Sequence, residues 1–254
     1  MDNQIIRITA EEATPQATAY FNKLCGFDRE GEKIRRMRTE GLEIQAYIRG
    51  NIRISAVASF FRPPTRMDAA SKRPPSAGSC AGALRWDKDK PDAMTLCTAT
   101  NQDEFTFTCN AFEQIDKDSV LGVYGYLLTA GVYMLDDSEP IMRQLYADIW
   151  GTAFVDAGLD ILKTRLSDGA PFVCVGPGFY GMDHEQINHF FTLLDGAKIG
   201  MELLHHRLMK PLKSCAGFLI LANDPAKLPP ADCANCLGNH KGCLFCHAAI
   251  KAEK

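Results

Sequence analysis

Between Leu42 and Arg62 the apolar positions fall on alternate residues: Ile44, Ala46 and Ile48, then, past Gly50-Asn51, Ile52, Ile54 and Ala56. A period of two sends every second side chain to one face of an extended chain, and a Gly-Asn pair reverses direction, so the pattern predicts a hairpin. Shorter apolar runs at Met94 to Thr100, Phe105 to Ala111, Phe172 to Val175, Ile199 to Leu204 and Ser214 to Leu221 read as further strands. Helices are marked by their ends. Thr14-Pro15 supplies a cap and a first-turn proline with Gly26 as the stop, and Asp28 to Arg38 is a second, strongly charged helix. After Asp118 the run SVLGVYGYLLTAGVYML is apolar all round, as a buried helix would be. Ser138-Glu139-Pro140 opens the longest candidate helix, which reaches about Leu166 before Ser167-Asp168-Gly169 ends it.

From Pro63 to Pro91 the chain turns to proline, serine and glycine with no sustained period, which reads as a long loop (63–91). The strands group in hairpins and do not alternate regularly with helices. The fold class expected is therefore α+β, a twisted, largely antiparallel sheet with packed helices over residues 1–224, followed by a tail over 225–254.

Charge and composition narrow the function. The 254 residues are 46% hydrophobic and 23% charged with a formal net charge of −3, which excludes a strongly basic nucleic-acid binder. No apolar run approaches a membrane span, and MDNQIIRITAEE lacks a basic, apolar signal segment, so the expected location is cytoplasmic with no membrane partner. The basic face of Lys33, Arg35, Arg36 and Arg38, the loop charges Arg62, Arg66, Lys72 and Arg73, and the helical acids Asp148 and Asp156 read as solvated surface. Adjacent His205 and His206 on a strand point to opposite faces and do not serve one metal site.

Ten cysteines are many for such a chain, and their placement divides them. Cys25, Cys80, Cys97, Cys109, Cys174 and Cys215 are scattered in apolar surroundings, where a reduced thiol behaves as a small hydrophobe. The other four, Cys233-x2-Cys236-x6-Cys243-x2-Cys246, form two Cys-x2-Cys pairs with Gly238 and Gly242 in the short loop between them. Four clustered thiolates suit tetrahedral zinc or a 4Fe-4S cluster, and the spacing leaves the two open.

The densest run of chemistry is Pro171 to Gly217. A short strand turns through Gly176-Pro177-Gly178, presents Phe179-Tyr180, and passes Gly181 to a helix capped by Asp183. Glycines on both sides of two aromatics free the backbone to hold the rings over a ligand, with a helix N-terminus beside them for an anion. The glycine-aromatic loop, the Asp183-His184 helix start, Leu193-Leu194-Asp195-x-x-Lys198-Ile199-Gly200 and Met209-x-Pro211-x-x-Ser214-x-x-Gly217 resemble the activation (reactivation) domain of cobalamin-dependent methionine synthase. The resemblance runs from about Ala93 to Ala222 and is closer to stand-alone proteins that carry this domain and end in a cysteine-rich tail.

It implies reductive activation of a corrinoid protein in methyl transfer, with cobalamin carried by a partner corrinoid protein or cobalamin-dependent methyltransferase and S-adenosylmethionine as methyl donor. It assigns the ligand site to Gly176, Pro177, Gly178, Phe179, Tyr180 and Gly181, with Tyr180 supplying the catalytic hydroxyl because Phe179 stands where the family has tyrosine. Cys174 replaces the arginine that begins the family's loop, and a neutral thiol does not pair with a carboxylate. The alternative is therefore a non-catalytic corrinoid-partner or metal-cluster module that has lost S-adenosylmethionine, and a third reading makes the loop a plain turn and the tail a structural zinc knob.

Overall fold

The structure, a computed structural model, describes residues 3–27, 30–63, 82–99, 102–133, 135–136, 138–205 and 207–229. The four tail cysteines Cys233, Cys236, Cys243 and Cys246, the loop residues Arg66, Lys72 and Arg73, and His206 lie outside the described residues. One curled sheet contains strands β1 (Gln4–Ile8), β2 (Ile54–Arg62), β3 (Gly82–Trp86), β4 (Ala93–Thr98), β5 (Glu104–Thr108), β6 (Val120–Thr129), β7 (Phe172–Val175) and, last in the chain, β10 (Ser214–Ala222). Their order is β5-β4-β3-β2-β6-β10-β7, with β1 also paired to β2. Every pairing is antiparallel except the brief contact of β2 with β3. A separate hairpin joins β8 (Glu202–Leu204) to β9 (Leu208–Lys210). Helices α1 (Ala10–Leu24), α2 (Glu32–Ile48), α3 (Ile141–Ser167) and α4 (Ile187–Leu193) complete the α+β fold that the strand and helix pattern predicts.

The sheet is buried on both faces, and its central strands divide their side chains between two cores. Ile54, Ala56 and Ala58 of β2, Tyr126 and Leu128 of β6, and Leu219 of β10 face α1, α2 and α3. Val57, Phe61, Val123, Leu127, Phe218 and Ile220 face the opposite core with α4. This explains the run SVLGVYGYLLT. It is apolar all round because β6 is a central strand covered on both sides, so the buried helix read there is corrected to a strand.

Three further readings are overturned. The half-hairpin at Ile44, Ala46 and Ile48 is the end of α2, where Gly41, Ile44, Gln45 and Ile48 are buried at helical spacing and Ala46 is exposed. Part of the long loop 63–91 is strand β3, whose Leu84 is fully buried against the α4-side core. Helix α1 also starts earlier than Thr14. Thr9 caps it by accepting from the Glu12 N–H at 3.1 Å, and Pro15 lies inside. The longest helix begins directly after Pro140, as its Ser-Glu-Pro start predicts.

Buried acids of high pKa make the fold sensitive to alkali. Burial pushes the thiol of Cys25 from its ordinary value near 9 to about 11, and burial raises Tyr20, Tyr133 and Cys215 further. These groups stay protonated in the native state after the unfolded chain has begun to lose their protons. Their contribution is complete below the ordinary values and is lost as pH climbs through 9 to 11 and beyond. Urea midpoints measured at constant ionic strength are expected to hold between pH 7 and 8 and to fall steadily above pH 9; a flat profile to pH 11 contradicts this.

Candidate functional site

At one end of the sheet β6 and β7 finish and β10 begins, because β10 runs antiparallel to both. The glycine-aromatic loop leaves β7 at this end. Gly176 and Gly217 lie side by side at its root: a Cβ on Gly176 would meet the Ala216 carbonyl at 2.6 Å, and one on Gly217 the Val175 carbonyl at 2.5 Å. Close backbone approach, which only glycine allows here, seats the loop on β10.

The loop is tightly tied. Phe179 N–H donates to the Gly176 carbonyl at 2.9 Å, Met182 N–H to Phe179 at 3.0 Å and Gly178 N–H to Met182 at 2.9 Å. The Asn110 N–H reaches the Tyr180 carbonyl at 2.9 Å. A Cβ at Gly178 would strike the His184 imidazole at 2.7 Å, and one at Gly181 the Asn110 carboxamide at 2.6 Å. The two rings are not equivalent. Phe179 is 55% exposed, whereas Tyr180, at φ +51°, is half-buried against the α4-side core. The helix N-terminus beside them is also occupied, since the Asp183 side chain accepts from the Glu185 N–H at 2.7 Å. The anion expected there is thus already supplied by the chain.

Next to the loop root the sheet faces α3 with a row of chemistry that the sequence reading assigns to surface or core. Asp148, Thr152, Asp156 and Asp160 recur every fourth residue and so share one face of the helix. Lys213, just before β10, spans the first two: its ammonium lies 2.8 Å from Asp148 Oδ1 and donates to Thr152 Oγ1 at 3.0 Å. Asp160 accepts from the Tyr20 hydroxyl at 2.5 Å and pairs with Lys163 at 3.2 Å. On the sheet side, Tyr126 lays its ring over Gly217 and its hydroxyl shares a hydrogen bond with Cys174 Sγ at 3.2 Å.

Electrostatics ties the two walls together. Burial raises the Cys215 thiol, and the neighbouring Cys174 and Asp156 push it in the same direction. Burial also raises Cys174, with Lys163 opposing. Both thiols are therefore neutral near pH 7. Burial and the neighbouring Asp160 raise Asp156, which has no hydrogen-bond or ion-pair partner among the described residues. The signal that would have found this seam is the four-residue recurrence of Asp148, Thr152, Asp156 and Asp160 through the middle of α3.

Two cavities lie elsewhere. One of about 370 Å³ is lined by Asn3, Phe191, Leu194, Asp195 and Lys198, and one of about 530 Å³ by Ala170, Phe172, Pro225, Leu228 and Pro229. No three His, Cys, Asp or Glu side chains are grouped to hold a metal among the described residues, and no helix among them is long and apolar enough to cross a membrane.

No family model and no curated protein matches the chain. Among solved structures, the crystal structure of the MetH reactivation domain bound to AdoHcy superposes on 88% of this chain and 79% of that one, with a TM-score of 0.62 at 9% identity. Identity so low speaks for architecture alone, and over that span the chain has the fold of the MetH reactivation domain.

Proposed function

We propose that this chain activates a corrinoid protein in methyl transfer, holding an S-adenosyl ligand along the seam between α3 and the β10-β7 edge, at the root of the Gly176 to Gly181 loop. The observation that carries the proposal is the backbone match to a reactivation domain solved with AdoHcy, over 88% of the chain. S-adenosylmethionine, when bound, supplies the methyl group, and cobalamin on the partner supplies the metal chemistry. The chain's own residues bind and orient. Phe179 offers an exposed ring for stacking, Tyr180 a hydroxyl on a residue whose backbone carbonyl is held by the Asn110 N–H, and Asp148 and Asp156 acceptors for hydroxyl or ammonium groups. Holding a methyl donor in one orientation against a second reactant is the main contribution a protein makes to such a transfer.

A docking surface for the partner is supported by exposed apolar side chains at this same end of the sheet. Val132 follows β6, Leu212 precedes β10, and Ile141, Met142 and Leu145 open α3, with Ile141 76% and Leu212 70% exposed. Scattered single apolar residues need no explanation, but several gathered at one end of a sheet mark an interaction face. The tail cysteines Cys233, Cys236, Cys243 and Cys246 belong to the proposal as a zinc or 4Fe-4S site serving as clamp or electron relay.

One observation favours the alternative, a corrinoid-partner module without the methyl donor: the thiol of Cys174 is neutral and bonded to Tyr126, so it offers no charge to a carboxylate. Isothermal titration of the full chain with S-adenosylmethionine separates the two. Saturable one-site binding that weakens roughly tenfold in Phe179→Ala supports the activator. The absence of binding removes it and leaves the module.

A further inference from the structure

The sheet ends on an open edge. Strand β7 is last in the strand order, and no strand among the described residues pairs with its outer side. The Ala222 N–H donates to the Pro171 carbonyl at 2.9 Å, so by alternation Val173 and Val175 bond inward to β10 while the backbone groups of Phe172 and Cys174 point outward. Exposed edges are ordinarily blunted with charge or proline, yet Phe172–Val175 carries neither. Beside the start of this strand lies the cavity of about 530 Å³, lined by Ala170, Pro171 and Phe172 at the entry to β7 and by Pro225, Leu228 and Pro229 after β10. No charged side chain lines it, and Phe172 is 37% exposed.

The segment after β10 is also the root of the tail, and it is pinned. The Asp116 N–H donates to the Lys227 carbonyl at 3.0 Å, the Lys227 ammonium pairs with Asp116 at 3.2 Å, and Pro229 is buried. Residues 230–254 therefore leave from the cavity's own wall, and the covalent reach of four residues keeps Cys233 within about 14 Å of Pro229. The tail carries four large apolar side chains, Leu237, Leu244, Phe245 and Ile250. A segment tethered this closely meets the cavity at an effective concentration of roughly millimolar order, which a free partner does not match.

We infer that the cavity and the β7 edge are the docking surface of the chain's own tail, residues 230–254, with Leu244-Phe245 seated against Phe172 and Leu228. The inference needs neither the methyl-transfer reading nor a particular metal. Docked there, the tail covers the open edge of the sheet and keeps its cysteines near the start of β7. Gly176, where the glycine-aromatic loop begins, lies a strand's length away, about 13 Å.

Photo-crosslinking of the full chain tests the occupant. In Phe172→p-benzoylphenylalanine, irradiation is expected to join residue 172 to a peptide from 230–254 of the same chain. The yield should be at least about tenfold above that of Leu212→p-benzoylphenylalanine, which carries the same group before the other end of β10. Adding Leu244→Asp and Phe245→Asp should lower the yield at least about fivefold, because a seated apolar pair is lost while tethering is not. No cross-link to the tail, or an unchanged yield in the aspartate variant, overturns the inference. A cross-link between two chains overturns it too, by giving the cavity to a second copy. Hydrogen exchange in the unaltered chain needs no substitution: the Phe172 and Cys174 amides should exchange at least about 100-fold slower than in an unfolded peptide. Exchange of both at the unprotected rate leaves the edge bare and the inference wrong.

Discussion

Replacing Trp150 with alanine is expected to cost about 4–6 kcal/mol and to lower the melting temperature by roughly 10–20 °C. Trp150 is fully buried where three helices meet. Its indole, on α3, stacks on Phe21 of α1 with ring centroids 4.0 Å apart and planes 4° from parallel, and its N–H donates to the Gly41 carbonyl of α2 at 2.7 Å. Truncation removes the largest fully buried side chain, opens a cavity between helices that cannot collapse independently, and breaks the indole hydrogen bond that ties α3 to α2. Gly41 shows how tight the joint is: a Cβ there would meet the Phe21 ring at 2.6 Å. Trp150→Phe separates the contributions. It keeps most of the stacking and loses the hydrogen bond, so about 1–3 kcal/mol is expected. Urea unfolding followed by circular dichroism reads both variants. An alanine variant within 1 kcal/mol of the parent, or a phenylalanine variant as damaged as alanine, contradicts this account of the joint.

The elements legible in the sequence are those whose ends carry chemistry. Helix α3 is announced by Ser138-Glu139-Pro140, and β7, β10 and the loop between β7 and α4 by their glycines and short apolar runs. Elements set by tertiary burial are not legible. Strand β6 loses its period because both of its faces are covered, so an apolar run looks the same whether strand or helix. In α2 the buried pair Ile44 and Ile48 fits a spacing of four as well as a spacing of two, and only the neighbours Gly41 and Gln45 decide for the helix. Strand β1 is too short to show a pattern, and β3 follows a stretch with no period at all.

The site divides in the same way. The glycine-aromatic loop is visible because positive φ and close approach restrict residue type locally, as at Gly178 and Gly181. The seam is not, because its partners come from four places in the chain: Asp156 on α3, Tyr126 on β6, Cys174 on β7 and Cys215 on β10. Taken singly, each is a solvated acid, a core aromatic or a buried thiol. Only the pairing of strands puts Tyr126 opposite Gly217, and only the missing side chain there lets its hydroxyl reach Cys174.

That missing side chain makes Gly217→Val the most informative change at the site. A Cβ at Gly217 would lie 2.5 Å from the Val175 carbonyl, 2.8 Å from the Tyr126 hydroxyl and 3.1 Å from Tyr126 Cζ, so two independent neighbours must yield. The carbonyl belongs to the strand on which the loop is rooted, and moving it separates β7 from β10 where Gly176 already touches the Ala216 carbonyl. Overpacking against backbone is expected to cost about 2–4 kcal/mol and, under the proposed function, to reduce affinity for the proposed S-adenosyl ligand by more than about tenfold in the same variant. Gly50→Ala, with open space around it, is the control for substituting glycine. Tyr126→Phe tests the second contact, because it removes the hydroxyl that crowds the new methyl group. In a double-mutant cycle with Gly217→Ala it should recover about 0.5–1 kcal/mol, and the remainder stays with Val175. A cycle with no coupling would place the Tyr126 ring away from Gly217 and dissolve its link to Cys174. If Gly217→Val melts with the parent but fails to bind ligand, the glycine serves the site alone; if it unfolds early yet binds normally below its transition, the seam is not where the ligand sits.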